Sequence, residues 1–194
     1  MFYAFIKGII LIFSKIFFRI HVNGIENIPK EGSCILCFNH RSLLDPPIIG
    51  VLMPRKLCFM AKEELFKAPI FGFIIKKLGV FPIKRGAADI GSVKTAIKIL
   101  KAGKVLAMYP EGTRNNSGTL GKAKPGAALI ATRAQAPIIP IAAVGAYKPF
   151  NKLIVNIGKP ITFEQYENQK LTMNELQDIS NDIMKHIQAL MEVV

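Results

Sequence analysis

Short apolar runs alternating with longer segments of helical periodicity constrain this chain most. Residues 33–38, 56–60, 80–83, 105–109, 138–143 and 153–157 are short runs that read as strands. Between them, Ile90, Val93, Ile97 and Leu100 recur at helical spacing, and Gly103 follows as a C-terminal cap. Residues 126–134 read as a helix behind Pro125. Thr172-Met173-Asn174-Glu175 is a capping-box pattern, and Leu176, Ile179, Ile183, Ile187 and Leu190 continue it as an apolar stripe. This alternation specifies an α/β architecture. The expectation is a single domain with a mixed β-sheet flanked by helices. At 194 residues the chain is long enough for one sizeable core, and no repeat or linker divides it.

Charge and apolarity narrow the partners. Lys and Arg number 26 against 13 Asp and Glu, a net of +13, yet 51% of residues are hydrophobic. A basic balance fits nucleic acid, anionic membrane or anionic substrates, and the apolar excess tilts the choice to membrane. Residues 2–20 are rich in Phe and Ile, with Lys7, Ser14, Lys15 and Arg19 gathered on one side of a helical wheel. The uncharged run 8–14 is far shorter than the ~20 residues that span a bilayer, and no small-residue cleavage site follows. An amphipathic membrane-associating helix is therefore expected over residues 1–22, ahead of a domain over 23–194. A core-packed first helix and a tilted anchor are the alternatives. Residues 68–78 are apolar almost all round and flanked by Lys67, Lys76 and Lys77. They read either as a buried helix or as a second membrane-contacting element.

Cys34, Cys37 and Cys58 give no disulfide framework. Cys34 and Cys37 form a CxxC, but within a strand that spacing points them to opposite faces, so two plain buried thiols are expected.

Asn39-His40-Arg41-Ser42-Leu43-Leu44-Asp45-Pro46 follows the first strand. The end of a strand is where open α/β sheets place their chemistry. A histidine there accepts a proton near neutral pH, and a carboxylate within reach fixes its tautomer. The segment reads as a turn, with Pro46 biasing Asp45 away from helical geometry. Two further loops follow strands. One carries Lys84, Arg85 and Gly86; the other is Tyr109-Pro110-Glu111-Gly112-Thr113-Arg114-Asn115, with Lys122 and Lys124 beyond it. Arginine forks bind phosphate oxygens through two donors, and neighbouring glycines allow close backbone approach. No GxxxxGK[ST] loop and no strand-anchored GxGxxG occurs, so neither nucleotide triphosphate nor dinucleotide is expected. No cluster has metal-ligand spacing, and His21 and His186 read as ordinary histidines.

These residues make the chain resemble the glycerolipid acyltransferases, most of all the short bacterial 1-acyl-sn-glycerol-3-phosphate acyltransferases. His40 and Asp45 match the family's HxxxxD, residues 79–85 look like its second block, Pro110-Glu111-Gly112-Thr113-Arg114 matches PEGTR, and residues 137–141 match its apolar fourth block. The likeness runs from about residue 23 to 160. Tyr109 stands where the family commonly has phenylalanine, and Asn115 where it commonly has serine. The resemblance implies that His40 deprotonates the sn-2 hydroxyl of lysophosphatidate. The alkoxide then attacks the thioester of acyl-coenzyme A or acyl carrier protein, while Asp45 orients His40. It implies Arg85 and Arg114, with Lys84, as phosphate-binding residues, and Glu111, Gly112 and Thr113 as part of the acceptor site. No cofactor, metal or nucleic acid is expected. The place implied is the cytoplasmic face of the cell membrane, peripheral or monotopic. A sister enzyme using glycerol-3-phosphate or another lysolipid stays open, as does a thioester hydrolase. A non-catalytic binding protein is opposed by HxxxxD together with PEGTR.

Overall fold

The computed structural model describes residues 1–83, 90–115 and 119–193. In chain order the elements are α1 (Phe2–Phe17), β1 (Arg19–Asn23), β2 (Cys34–Phe38), α2 (Asp45–Leu52), β3 (Leu57–Lys62), α3 (Pro69–Leu78), β4 (Phe81–Ile83), α4 (Ile90–Lys101), β5 (Val105–Met108), α5 (Gly126–Ala134), β6 (Ile138–Gly145), β7 (Lys152–Ile157) and α6 (Met173–Glu192). The strands form one sheet in the order β1-β7-β6-β2-β5-β3-β4. Only β6–β7 is antiparallel; the other pairs are parallel. The sheet is thus mixed and flanked by helices, as the alternating pattern specified.

Strand β2 lies at the centre, between β5 and β6, and all its residues are buried. A strand covered on both faces reads as a continuous apolar run. Ile35 and Cys37 join the core under α4, α5 and α6, which contribute Ala96, Leu100, Ala128, Ile130, Ile179 and Ile183. Cys34, Leu36 and Phe38 join the opposite core with Ile49 and Met53 from the α2 side. The two cysteines of the CxxC therefore sit on opposite faces, as strand periodicity requires. Each fully buried Ile, Leu or Phe here contributes about 1.5–3 kcal/mol of hydrophobic stabilisation. Helix α6 is anchored by the capping box read in the sequence: the Glu175 amide donates to Thr172 Oγ1 at 3.3 Å, and the Thr172 amide donates to Glu175 Oε2 at 2.7 Å.

Two expectations need correction. The helix expected over residues 1–22 ends at Phe17, and Arg19–Asn23 is an edge strand paired with β7. Its alternation is short, with only Ile20 and Val22 turned inward, and its partner is far away in sequence. The turn read after β2 also holds a helix: Asp45 is the first residue of α2, with proline in its first turn. Proline is tolerated there because first-turn amides have no intrahelical partner.

Helix α1 packs against α2 and sends Lys7 Nζ to the Met53 carbonyl at 3.0 Å. Its other side leaves Phe2, Phe5, Ile9, Ile12, Phe13 and Ile16 exposed. Helix α3 buries only Gly72 and Ile75 and exposes Ile70, Phe71 and Phe73. The Phe2 and Phe73 rings meet edge-on at 6.4 Å, so the two apolar faces adjoin. No described helix is long and apolar enough to cross a membrane.

Candidate active site

Because β2, β5 and β6 run parallel, their C-terminal ends open on one edge of the sheet. Asn39 is the first residue beyond β2 and is buried. Its side-chain amide donates to the Ala143 carbonyl at 3.0 Å, and its Oδ1 accepts from the Ala143 amide at 2.8 Å. The side chain thus continues the β2–β6 ladder by one step and holds the start of the next loop.

His40 follows, and its backbone is held on both sides by the loop after β5. Its amide donates to Glu111 Oε1 at 3.1 Å, and its carbonyl accepts from the Asn115 amide at 2.8 Å. Glu111 is buried, and its other oxygen accepts from the Gly121 amide at 2.8 Å. Both carboxylate oxygens are therefore committed to backbone N–H groups. Gly112 turns this loop in the left-handed region, at φ +68°, where a side chain would be strained. A Cβ there would also come within 2.9 Å of the Lys124 side chain.

The His40 side chain points to Asp45. Nδ1 lies 2.8 Å from Asp45 Oδ2. The same oxygen accepts from the Arg41 amide at 2.8 Å and the Ser42 amide at 2.7 Å. The turn before α2 thus forms a cradle in which two backbone N–H groups meet the carboxylate at the start of the helix. The positive end of the helix dipole favours that charge. Asp45 is fully enclosed and the His40 side chain is 14% exposed, so one edge of the imidazole is reachable. A carboxylate facing Nδ1 selects the tautomer with the proton on Nδ1, which leaves the Nε2 lone pair to accept a proton. Tyr109 lies flat against the imidazole, with ring centroids 3.9 Å apart and 19° between planes.

The structure brings together His40, Asp45, Glu111 and Gly112 of the residues singled out in the sequence. Thr113 and Arg114 are on the same loop and exposed. Thr113 donates to the Arg114 carbonyl at 3.2 Å, and the Arg114 guanidinium has no ion pair among the described residues. Lys84 and Arg85 lie outside the described residues. Cys34 and Cys37 are buried thiols away from solvent: burial pushes Cys34 up to about 11 and drives Cys37 higher still.

Sequence reasoning missed Asn39 and the Asn115 and Gly121 amides. Asn39 had a usable signal, a polar residue directly after a fully apolar strand. The others act through backbone or across long sequence separations and carry no local signature.

Known proteins share this arrangement of chain. A family model described as Acyltransferase matches residues 19–144. The chain is similar to the 1-acyl-sn-glycerol-3-phosphate acyltransferase of Streptococcus pneumoniae, at 31% identity over 99% of this chain and 74% of that protein. It is also similar to the protein of that name from Bacillus subtilis, at 35% identity over 62% of this chain and 60% of that protein. The crystal structure of the 1-acyl-sn-glycerophosphate (LPA) acyltransferase PlsC from Thermotoga maritima matches with a TM-score of 0.77 and 26% identity, covering 98% of this chain and 79% of that one. The chain belongs to the acyltransferase family, whose matched segment here contains His40, Asp45 and the loop of Glu111.

Proposed function

We propose that this acyltransferase moves a fatty acyl group from a thioester to the sn-2 hydroxyl of lysophosphatidate, making phosphatidate. The observation that carries the reading is the 2.8 Å contact of His40 Nδ1 with the enclosed Asp45 carboxylate, at the end of the central strand. His40 Nε2 takes the hydroxyl proton as the oxygen attacks the thioester carbonyl. The tetrahedral intermediate collapses with loss of the thiolate, which recovers the proton from the imidazolium. Asp45 holds the ring and balances its charge. Base catalysis of this kind contributes about 10²–10⁴-fold. A thioester is already activated, so the step proceeds by direct transfer. Arg114, with Lys84 and Arg85, binds the acceptor phosphate. Glu111 serves by holding the His40 backbone, and Gly112 and Thr113 shape the turn that presents Arg114. The donor is acyl-coenzyme A or acyl carrier protein.

The same reading gives the apolar faces of α1 and α3 to an anionic membrane on its cytoplasmic side, as a peripheral or monotopic contact. Six large apolar side chains on α1 and three on α3 are exposed. Lys76 and Lys77 sit beside them, and Lys77 Nζ lies over the Phe73 ring at 5.5 Å. Such a mixture suits an interface where apolar groups enter the acyl boundary and ammonium groups meet phosphate.

The test is thiol release from acyl-coenzyme A and from acyl carrier protein, with and without lysophosphatidate, for wild type and His40→Ala. Release that requires lysophosphatidate and His40, with phosphatidate formed, supports the reading and identifies the donor. Turnover with glycerol-3-phosphate alone would move the acceptor assignment, and release without any acceptor would make the protein a hydrolase. Sedimentation with phosphatidylglycerol vesicles checks the membrane face. Phe5→Asp/Phe73→Asp is expected to stay in the supernatant, and cosedimentation equal to wild type would overturn that assignment.

A further inference from the structure

Behind the His40–Asp45 pair lies a group of polar atoms that base catalysis as described does not use. Asp45 Oδ2 is fully engaged, but its other oxygen, Oδ1, is buried and meets no partner in full hydrogen-bond geometry. The hydroxyls of Tyr109 and Tyr147 are likewise buried without a partner in that geometry. Buried polar atoms are rarely left this way, and each one costs free energy unless something uses it. Their side chains surround one site: Tyr109 stacks on His40, whose Nδ1 meets Asp45, and Tyr147 packs in one small core with Leu44 and Ile48, on either side of Asp45 in the chain. The Asp45 charge raises both phenols, and Tyr147 raises Tyr109 further. Burial first, then the charge of Asp45 and the pull of its carboxylate on the hydroxyl proton, raise the Tyr147 phenol.

Both rings are held in place. Tyr109 is stacked on His40 and tilted against Phe38 at 5.9 Å between centroids. Tyr147 packs edge-on against Phe18 at 6.3 Å in the small core of Phe18, Ile48 and Leu153. Burial and the neighbouring carboxylate push both phenols to ionise well above the usual tyrosine range, so both keep their protons and stay donors. The loop after β5 and the loop after β6 thus each bring one buried, protonated hydroxyl to the surroundings of Asp45.

We propose that Tyr109 and Tyr147 are positioning residues for the catalytic pair: their hydroxyls serve Asp45 Oδ1, hold the carboxylate with Oδ2 on His40 Nδ1, and disperse its charge. This rests on His40 acting as the base. Tyr109 does a second job through its ring, which fixes the imidazole plane. Without the donors, the Asp45 charge concentrates on the face toward His40 and favours the imidazolium before substrate arrives. The acidic limb of the kcat/KM profile then moves to higher pH. The other groups around the pair are the Arg41 guanidinium, which acts on Tyr147, Glu111, bound to the His40 amide, and the Arg41 and Ser42 amides. All remain in the variants below.

The experiment compares wild type, Tyr109→Phe, Tyr147→Phe, the double variant and His40→Ala. Each is assayed with acyl-coenzyme A and acyl carrier protein thioesters and lysophosphatidate across pH, with thermal melting alongside. Phenylalanine keeps each ring, so packing and the His40 stack persist. Tyr147→Phe is expected to lower kcat about tenfold with KM nearly unchanged, and to move the acidic limb up by about half a pH unit. The double variant is expected to lose more than the product of the single losses, because either phenol partly covers for the other on one oxygen. Wild-type kcat and an unmoved limb in both single variants and the double variant, beside an inactive His40→Ala, overturn this inference alone. Lower melting temperatures with unaltered kinetics do the same, since they show a merely structural role. An active His40→Ala overturns the base assignment and this inference with it.

Discussion

Replacing Glu111 by glutamine tests how the His40 loop is held while changing almost no volume. Glu111 accepts from the His40 amide at 3.1 Å and from the Gly121 amide at 2.8 Å. A glutamine has one acceptor oxygen, so only one amide keeps its partner and the other meets an NH2 group. The shorter bond to Gly121 keeps the oxygen, and the His40 amide faces a donor. The substitution turns one charge-assisted bond into a neutral one and orphans a buried N–H, which costs about 1–3 kcal/mol for the orphan alone. Together these come to roughly 2–4 kcal/mol. At about 2–4 °C per kcal/mol for a domain of this size, the melting temperature falls by roughly 5–15 °C. The displaced amide also moves the imidazole relative to the hydroxyl it serves. Misplacement by about 1 Å costs about a hundredfold in rate, so a kcat loss of roughly 10–100-fold is expected with KM changed little. Thermal melting and steady-state kinetics with lysophosphatidate read both effects. A Glu111→Gln protein that melts within a degree or two of wild type and keeps its kcat would refute the claim that this carboxylate holds the loop.

Asn39→Ala removes the paired bonds to Ala143 and is expected to lower unfolding stability by about 1–3 kcal/mol in urea; a smaller change means the strand end holds itself. Thiol labelling at pH 8 is expected to spare Cys34 and Cys37 in the native protein, because burial raises both thiols, and to reach them in denaturant. Thr172→Ala breaks the capping box on α6. The Thr172 amide and then its hydroxyl hold the Glu175 carboxyl below its usual range; alanine keeps the amide and loses the hydroxyl, whose share of the stabilisation is present at neutral pH and is lost as pH falls through that lowered value. The melting difference between wild type and Thr172→Ala should therefore shrink in acid; a difference independent of pH would assign it to the helix propensity of the residue instead.

The central strands were legible because burial on both faces leaves a run such as Cys34–Phe38 with no polar residue. The helices α4, α5 and α6 were legible because a buried stripe recurs at helical period. His40, Asp45 and the loop of Glu111 were legible as residue types whose chemistry suits the ends of parallel strands. Strand β1 was not, because a short edge strand with alternate residues exposed resembles the end of an amphipathic helix until β7 lies beside it. Helix α2 was hidden by its prolines, which mark a turn or a first helical turn equally well. The hold on the site was decided by tertiary structure alone: Asn39 on Ala143, and Glu111 on the His40 and Gly121 amides. Periodicity records which residues are buried, because burial repeats with the geometry of a helix or strand. A bond between one side chain and a backbone group a hundred residues away repeats with nothing, so only the folded chain shows it.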